Sequence, residues 1–246
     1  MYLKIAIMNN SGNVGKSMIC DTLFYPRIPN ADKIKIETIN SDGTNDKNIS
    51  AKHINELTQL ILGTDIAIID VGSSNIEMFM SSLVKSDDIH EEIDYFFIPT
   101  TPKAKQQVDT LATIEALLAL GVNPERIRII FNFYDPDYSV EKLYIHIFES
   151  EFVELLNLKE NSNIFKIENS PAFDMLAELG ISFTEMANDE RDFKTLSRES
   201  KDKDKRANYV QLRSASGFAK KYVKSLDLTF EQINASCNLL ENTCNA

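Results

Sequence analysis

Apolar residues along this chain fall into short runs separated by longer stretches with helical spacing. Tyr2 to Met8 (YLKIAIM), Asp65 to Val71 (DIAIIDV), Tyr95 to Pro99 (YFFIP) and Arg126 to Phe131 (RIRIIF) are compact and largely apolar, the pattern of buried strands. Lys33 to Ile39 (KIKIETI) alternates as a strand whose end is marked by the turn formers Asn40, Ser41, Asp42 and Gly43. A further short strand is expected at Asn163 to Ile167. Helices are expected from Lys16 to about Phe24, over 50 to 62 on the spacing of Ile54, Leu57, Ile61 and Leu62, and over 103 to 120.

Strands alternating with helices in this way predict right-handed crossovers and an α/β fold with a doubly wound, mostly parallel sheet. Ligands of such sheets bind beyond the carboxyl ends of the strands. The turns after Met8, Ile39, Ile69 and Phe131 all belong to that edge. Beyond about residue 182 the strand signal vanishes, and helices flank a charged stretch, RESKDKDKR. The expected organisation is an α/β domain over 1 to 195, which carries that ligand edge, and a charged helical C-terminal extension over 196 to 246.

Composition narrows the class. Hydrophobic residues make up 43% and charged residues 26% of 246, the balance of an ordinary globular protein. No apolar run approaches the ~20 residues that cross a bilayer, and the N-terminus has no signal-peptide profile, so a cytoplasmic location is expected. Cys20, Cys237 and Cys244 lack metal-ligand spacing and are expected as reduced thiols. A net charge of -11 argues against nonspecific wrapping of nucleic acid. The charge is uneven, however: residues 201 to 224 hold six lysines and two arginines against two aspartates, a local balance of +6.

The turn after the first strand carries the chemistry. In Gly12-x-x-Gly15-Lys16-Ser17, small residues let backbone amides close on an anion, and the helix starting at Lys16 points its positive end at the same place. Lys16 is suited to neutralise β and γ phosphates, and the Ser17 hydroxyl to ligate magnesium. Asp70, a lone carboxylate ending an apolar strand, has few structural reasons to be there. Asn132 follows the fifth strand, where its amide can both donate to and accept from a purine edge or simply cap the strand end.

With its preceding strand, Ser11-Gly12-Asn13-Val14-Gly15-Lys16-Ser17 resembles the deviant Walker A loop of the ParA/MinD family of ATPases, which commonly reads Lys-Gly-Gly-Val-Gly-Lys-Thr. The sequence departs from it at Asn13 and at Ser11, where the family has a signature lysine that reaches a partner's phosphates. By order of elements the resemblance covers about residues 1 to 190 of the 246. It implies ATP and Mg2+ as cofactors and a nucleotide site of Ser11, Gly12, Asn13, Val14, Gly15, Lys16, Ser17, Met18 and Asn132, the last against adenine. It implies Lys16 and Asp42 as catalytic residues, with Asp42 as the switch I aspartate that orients water, unless it is only a turn residue before Gly43. Ser17, Asp42 and Asp70 are implied as the magnesium set. The turn from Glu168 to Pro171 and the helix leading to Gly180 look like the segment that closes over base and ribose. Within the family the loop is most similar to the plasmid StbB/TraL-type subgroup, which implies a role in plasmid partition or conjugative transfer.

That resemblance implies a homodimer formed on ATP binding and a DNA-binding or membrane-associated partner protein, with the chain cytoplasmic or peripheral at membrane or nucleoid. Without the signature lysine, slow basal hydrolysis is expected. Two other classes stay open: a small-molecule kinase or ATP-dependent ligase of related fold, and an ATP-binding adaptor without catalysis. The segment 201 to 224 reads as a solvated helix face, a DNA contact through Arg213, Lys220, Lys221 and Lys224, or a weak attachment to anionic lipid along Phe218, Tyr222 and Val223.

Overall fold

The structure is a computed structural model that describes residues 2–36, 51–85 and 89–241. In chain order its strands are β1 (Leu3–Ile7), β2 (Asp32–Ile36), β3 (Ile66–Val71), β4 (Tyr95–Thr100), β5 (Ile127–Tyr134) and β6 (Phe165–Glu168). They form one sheet in the order β2-β3-β1-β4-β5-β6. The ladders β2·β3, β3·β1, β1·β4 and β4·β5 are all parallel. Between the strands lie α1 (Lys16–Ile19), which continues as π-helical turns over Cys20–Phe24, then α2 (Ala51–Leu62), α3 (Ile76–Lys85) and α4 (Ala104–Ala119). This is a doubly wound, mostly parallel α/β sheet, as the spacing of strands and helices predicts.

Alternation along each strand separates two apolar faces. Ala6, Ile34, Ile36, Ala67, Ile69, Val71, Phe96, Ile98, Ile129 and Phe131 pack with Leu57 and Ile61 of α2, Phe79 and Leu83 of α3, and Ile114 and Leu117 of α4. The intervening positions turn the other way, where Phe24 meets Phe97 with ring centroids 4.7 Å apart and Phe230 at 6.5 Å. Register then sets the edge. Ile7, the last residue of β1, is level with Asp70 of β3, and Lys35 of β2 lies on the other side of Asp70. The turn chemistry after β1 therefore opens beside that carboxylate.

Three short helices, α5 (Val140–Leu143), α6 (Ile145–Phe148) and α7 (Phe152–Leu155), join β5 to β6. After β6 come α8 (Ala172–Leu179), α9 (Phe183–Ala187), α10 (Phe193–Glu199) and a long helix, α11 (Lys203–Cys237). Contacts divide the chain into two compact units, one of residues up to Ile167 with those from Thr229 onward, the other Glu168–Leu228. Neither junction coincides with the expected boundary between 195 and 196. The reason lies in α11, whose Leu212, Ala215 and Ala219 share a core with Ala172, Leu176, Met186 and Phe193. The charged run that looked like a divider spans the end of α10, the break before α11 and the first turn of α11. Beyond Leu228, α11 belongs to the first unit, where Thr229 Oγ1 donates to the Lys166 carbonyl at 2.7 Å.

Candidate functional site

After β1 the backbone bends through two left-handed residues, Asn13 (φ 56°) and Gly15 (φ 88°). Such a conformation costs an ordinary residue about 1–2 kcal/mol, and asparagine is among the few side chains that adopt it readily. Asn13 thus stands where the family pattern has glycine without breaking the turn. Gly15 has no substitute, because a Cβ there would lie 2.4 Å from Asn132 Nδ2. The amides of residues 12 to 17 have no acceptor among the described residues, so the loop presents a row of free donors at the start of α1.

Polar side chains hold this loop from beneath. Asn9 donates through Nδ2 to the Pro99 carbonyl (2.9 Å) and to Thr110 Oγ1 (2.7 Å), and its Oδ1 accepts from the Ser11 amide at 2.7 Å. The Asn10 amide donates to Thr113 Oγ1 at 3.1 Å. Gln106 donates to the Gly12 carbonyl at 3.1 Å and accepts from the Thr101 hydroxyl. Asn132 Nδ2 donates to the Val14 carbonyl at 2.8 Å, and its Oδ1 accepts from the Phe133 amide.

Lys16 is buried, and its Nζ donates to the carbonyls of Ser11 (2.7 Å) and Asn9 (3.2 Å). Burial lowers its pKa to about 8, opposed by the negative charge of Asp70 and by Cys20. Asp70 is only 1% exposed, and neither of its carboxylate oxygens has a hydrogen-bond partner. Cys20, buried under the same edge, has its thiol pushed well up by burial and by the Asp70 charge, so it is inert. Cys237 is likewise a buried free thiol. A buried carboxylate with both oxygens unmet costs stability unless something meets it. Together with the free loop amides, it fits a triphosphate accompanied by a hydrated divalent cation.

The structure brings most of the residues expected from the sequence to one place. Ser11 is buried at the loop's start, Gly12 and Asn13 are exposed, Val14 is buried, and Ser17 is exposed on the first turn of α1. Met18 is half-buried and accepts the Thr22 hydroxyl on its carbonyl and sulfur. Asp42 and the end of the expected second strand, residues 37 to 39, lie outside the described residues, as does Cys244. Asn132 lies within β5 rather than after the strand as expected, and it reaches the loop in a pinning role that the sequence did not reveal.

Sequence reasoning missed Asn9, Gln106, Thr110, Thr113 and Asn75. Gln106, Thr110 and Thr113 were legible as polar residues on the same helical stripe as Ile114 and Leu117, buried like them. Asn75 sits in a 3-10 turn after β3, where its Nδ2 donates to the carbonyl of Ile36 at 3.0 Å, joined by the Gly72 amide at 3.2 Å. The ends of β2 and β3 are thereby tied together. A Cβ at Gly72 would press on this tie, lying 3.1 Å from Asn75 Nδ2 and 3.2 Å from the Ile36 carbonyl.

No protein-family model and no curated protein sequence matches the chain. Among solved structures it is similar to a candidate plasmid partition protein from Borrelia burgdorferi B31 bound to AMPPNP, at 15% identity and a TM-score of 0.48, over 87% of this chain and 98% of the other. It is similar to the MinD cell division protein of Aquifex aeolicus at 16% identity and a TM-score of 0.46, over 87% and 97%. For apo McdA of Cyanothece the identity is 14% and the TM-score 0.48, over 91% and 100%. These neighbours are of the ParA/MinD type. At such scores they transfer no residue role to this chain.

Proposed function

We propose that this chain is an ATP-binding switch of the ParA/MinD type that hydrolyses ATP slowly unless a partner acts on it. The observation that carries the reading is Asp70, a buried carboxylate whose oxygens accept no hydrogen bond of normal geometry, beside the Lys16 ammonium and a loop whose amides are free. Lys16 would exchange the Asn9 and Ser11 carbonyls for the β and γ phosphates. Ser17 and Asp70 would hold Mg2+, Asp70 through a water, and Asp42 is proposed to complete that set and to orient the attacking water. Bound there, the metal would supply positive charge against the phosphates. Asn132 spends one amide hydrogen on the Val14 carbonyl and one lone pair on the Phe133 amide, which leaves one of each for a purine edge.

Slow turnover follows from Ser11. Its hydroxyl cannot do what the family's lysine does across a dimer, and a cation supplied in trans is worth roughly 10³ to 10⁵ in rate in related phosphoryl transfers. A partner-induced rate or an ATP-dependent homodimer fits that chemistry, and a role in plasmid partition or conjugative transfer alongside StbB/TraL-type proteins is the process we favour. The same Ser11 favours, as a second reading, an ATP-binding adaptor without hydrolysis. A small-molecule kinase or ligase would need a substrate-shaped constellation near the loop, where Ser73 and its small neighbours stand.

Calorimetry with Mg-ATP tests the binding claim: heat of binding is expected for the intact protein and none for Lys16→Ala. No heat from well-folded wild-type protein would refute it. Phosphate release with and without candidate DNA and partner proteins then separates switch from adaptor, and brisk turnover by the purified chain alone would contradict the role assigned to Ser11.

A further inference from the structure

The outer face of α11 holds a feature that neither the nucleotide chemistry nor the core requires. Val210, Arg213, Ser214, Gly217, Phe218 and Lys221 line a shallow trough of about 450 Å³ within the second unit. Val210, two turns before Gly217, is 54% exposed, and Phe218, next to it in the chain, is 40% exposed. A glycine inside a helix lowers its stability relative to alanine. Nothing in the fold asks for one here, because a Cβ at Gly217 would meet no atom within 4 Å. What a bare helix surface provides is room for another backbone to come close, with Val210 and Phe218 as the ridges beside it.

We propose that this trough docks an acidic amphipathic helix of a partner protein. Charge selects the occupant. Arg213 and Lys221 flank the apolar ridges, Lys224 continues the basic edge, and neither Arg213 nor Lys221 pairs with a carboxylate among the described residues. An incoming helix with leucines toward Gly217 and glutamates along its border satisfies both the apolar floor and the cationic rim. DNA would use the cations and leave Val210, Phe218 and the glycine notch without purpose. A bilayer needs a broader apolar face than two side chains provide. This inference stands apart from the ATP reading, since no residue of the loop enters it.

The test uses the full-length chain and a labelled synthetic peptide of about 20 residues, helical, with leucines on one face and glutamates flanking them. A scrambled peptide of the same composition is the control. Anisotropy should show binding of the amphipathic peptide only. Gly217→Leu, which fills the trough, and the pair Arg213→Glu with Lys221→Glu should each weaken it about tenfold or more. Gly217→Ala should weaken binding while raising the melting temperature, a combination that loss of fold cannot produce. Equal binding of the scrambled peptide, or undiminished binding by Gly217→Leu, overturns the proposal. Displacement of the peptide by duplex DNA or by phosphatidylglycerol vesicles, or self-association that Gly217→Leu abolishes, overturns it in favour of nucleic acid, lipid or a second copy.

Discussion

Lys16 and Asp70 are buried charges whose placement costs the fold, a cost that the proposed ligand would offset. The ammonium of Lys16 titrates near a pKa of about 8 because burial disfavours its charge, against about 10.4 for a free lysine. Between those values the unfolded chain keeps a proton that the folded chain has released, so stability should rise with pH across that window. Nucleotide binding should run the other way, since phosphate oxygens beside the ammonium favour its charged form. Mg-ATP binding at about pH 9 should therefore take up a proton, with no such uptake at about pH 7. Calorimetry in buffers of different ionisation enthalpy reads this directly, and equal uptake at both pH values would remove Lys16 from the phosphates. Asp70 makes the complementary case. With both oxygens buried and unmet, Asp70→Asn should raise unfolding stability by about 1 kcal/mol or more. The same change should abolish the magnesium dependence of nucleotide binding. A destabilised variant would show that the carboxylate is structural. Of this pair, the sequence discloses the positions, through a glycine-rich turn and a charge ending an apolar strand, but not the cost.

At the level of elements, α4 was legible as a helix and illegible as a scaffold. Its apolar positions Ile114 and Leu117 announce a buried face, while Gln106, Thr110 and Thr113 on that face look like surface residues until the loop is placed against them. The pairing depends on contacts about a hundred positions apart in the chain, such as Asn9 with Thr110, which periodicity cannot report. Gln106 is the clearest consequence. Its amide restrains the Gly12 carbonyl and, more distantly at 3.5 Å, that of Asn13. Gln106→Ala should cost about 1–2 kcal/mol of stability by leaving buried polar groups unmet. It should also weaken Mg-ATP binding about tenfold, because an untethered loop must be ordered when the ligand arrives. Gln106→Glu should be worse, as it turns a carboxylate oxygen toward those carbonyls. Thermal melts and titration calorimetry check both variants, and unchanged affinity in the two would mean that the loop keeps its shape without α4. The strands were read more securely than their ends: β5 runs to Tyr134, past the expected stop at Phe131, through a left-handed Phe133 (φ 59°). That residue's conformation is secured by the Asn132 side chain accepting from its amide, a local bond with no periodic signature.

For the whole molecule, the division into units turns on a single helix and yields the sharpest test of where the nucleotide site ends. The end of the strand signal near residue 182, with helices around a charged stretch after it, suggests a boundary near residue 195. The chain instead carries α8 to α10 and most of α11 around a shared core of Leu176, Met186, Phe193 and Leu212. This unit is an insertion in the first, and its two ends are neighbours there: the Lys166 carbonyl accepts the hydroxyl of Thr229 at 2.7 Å. Insertions whose ends meet can be removed with little strain, because a short loop closes the gap at small entropic cost. Replacing residues 168 to 228 with a Gly/Ser loop of about six residues should therefore leave a first unit that melts cooperatively. All the phosphate-loop residues, Asp70 and Asn132 lie in that unit. Triphosphate binding should persist in the shortened chain. Competition titrations with ATP and tripolyphosphate distinguish the outcomes. Full loss of triphosphate binding in a cooperatively folded variant would mean that the second unit supplies part of the phosphate site, against the self-sufficiency of the loop, its pins and Asp70.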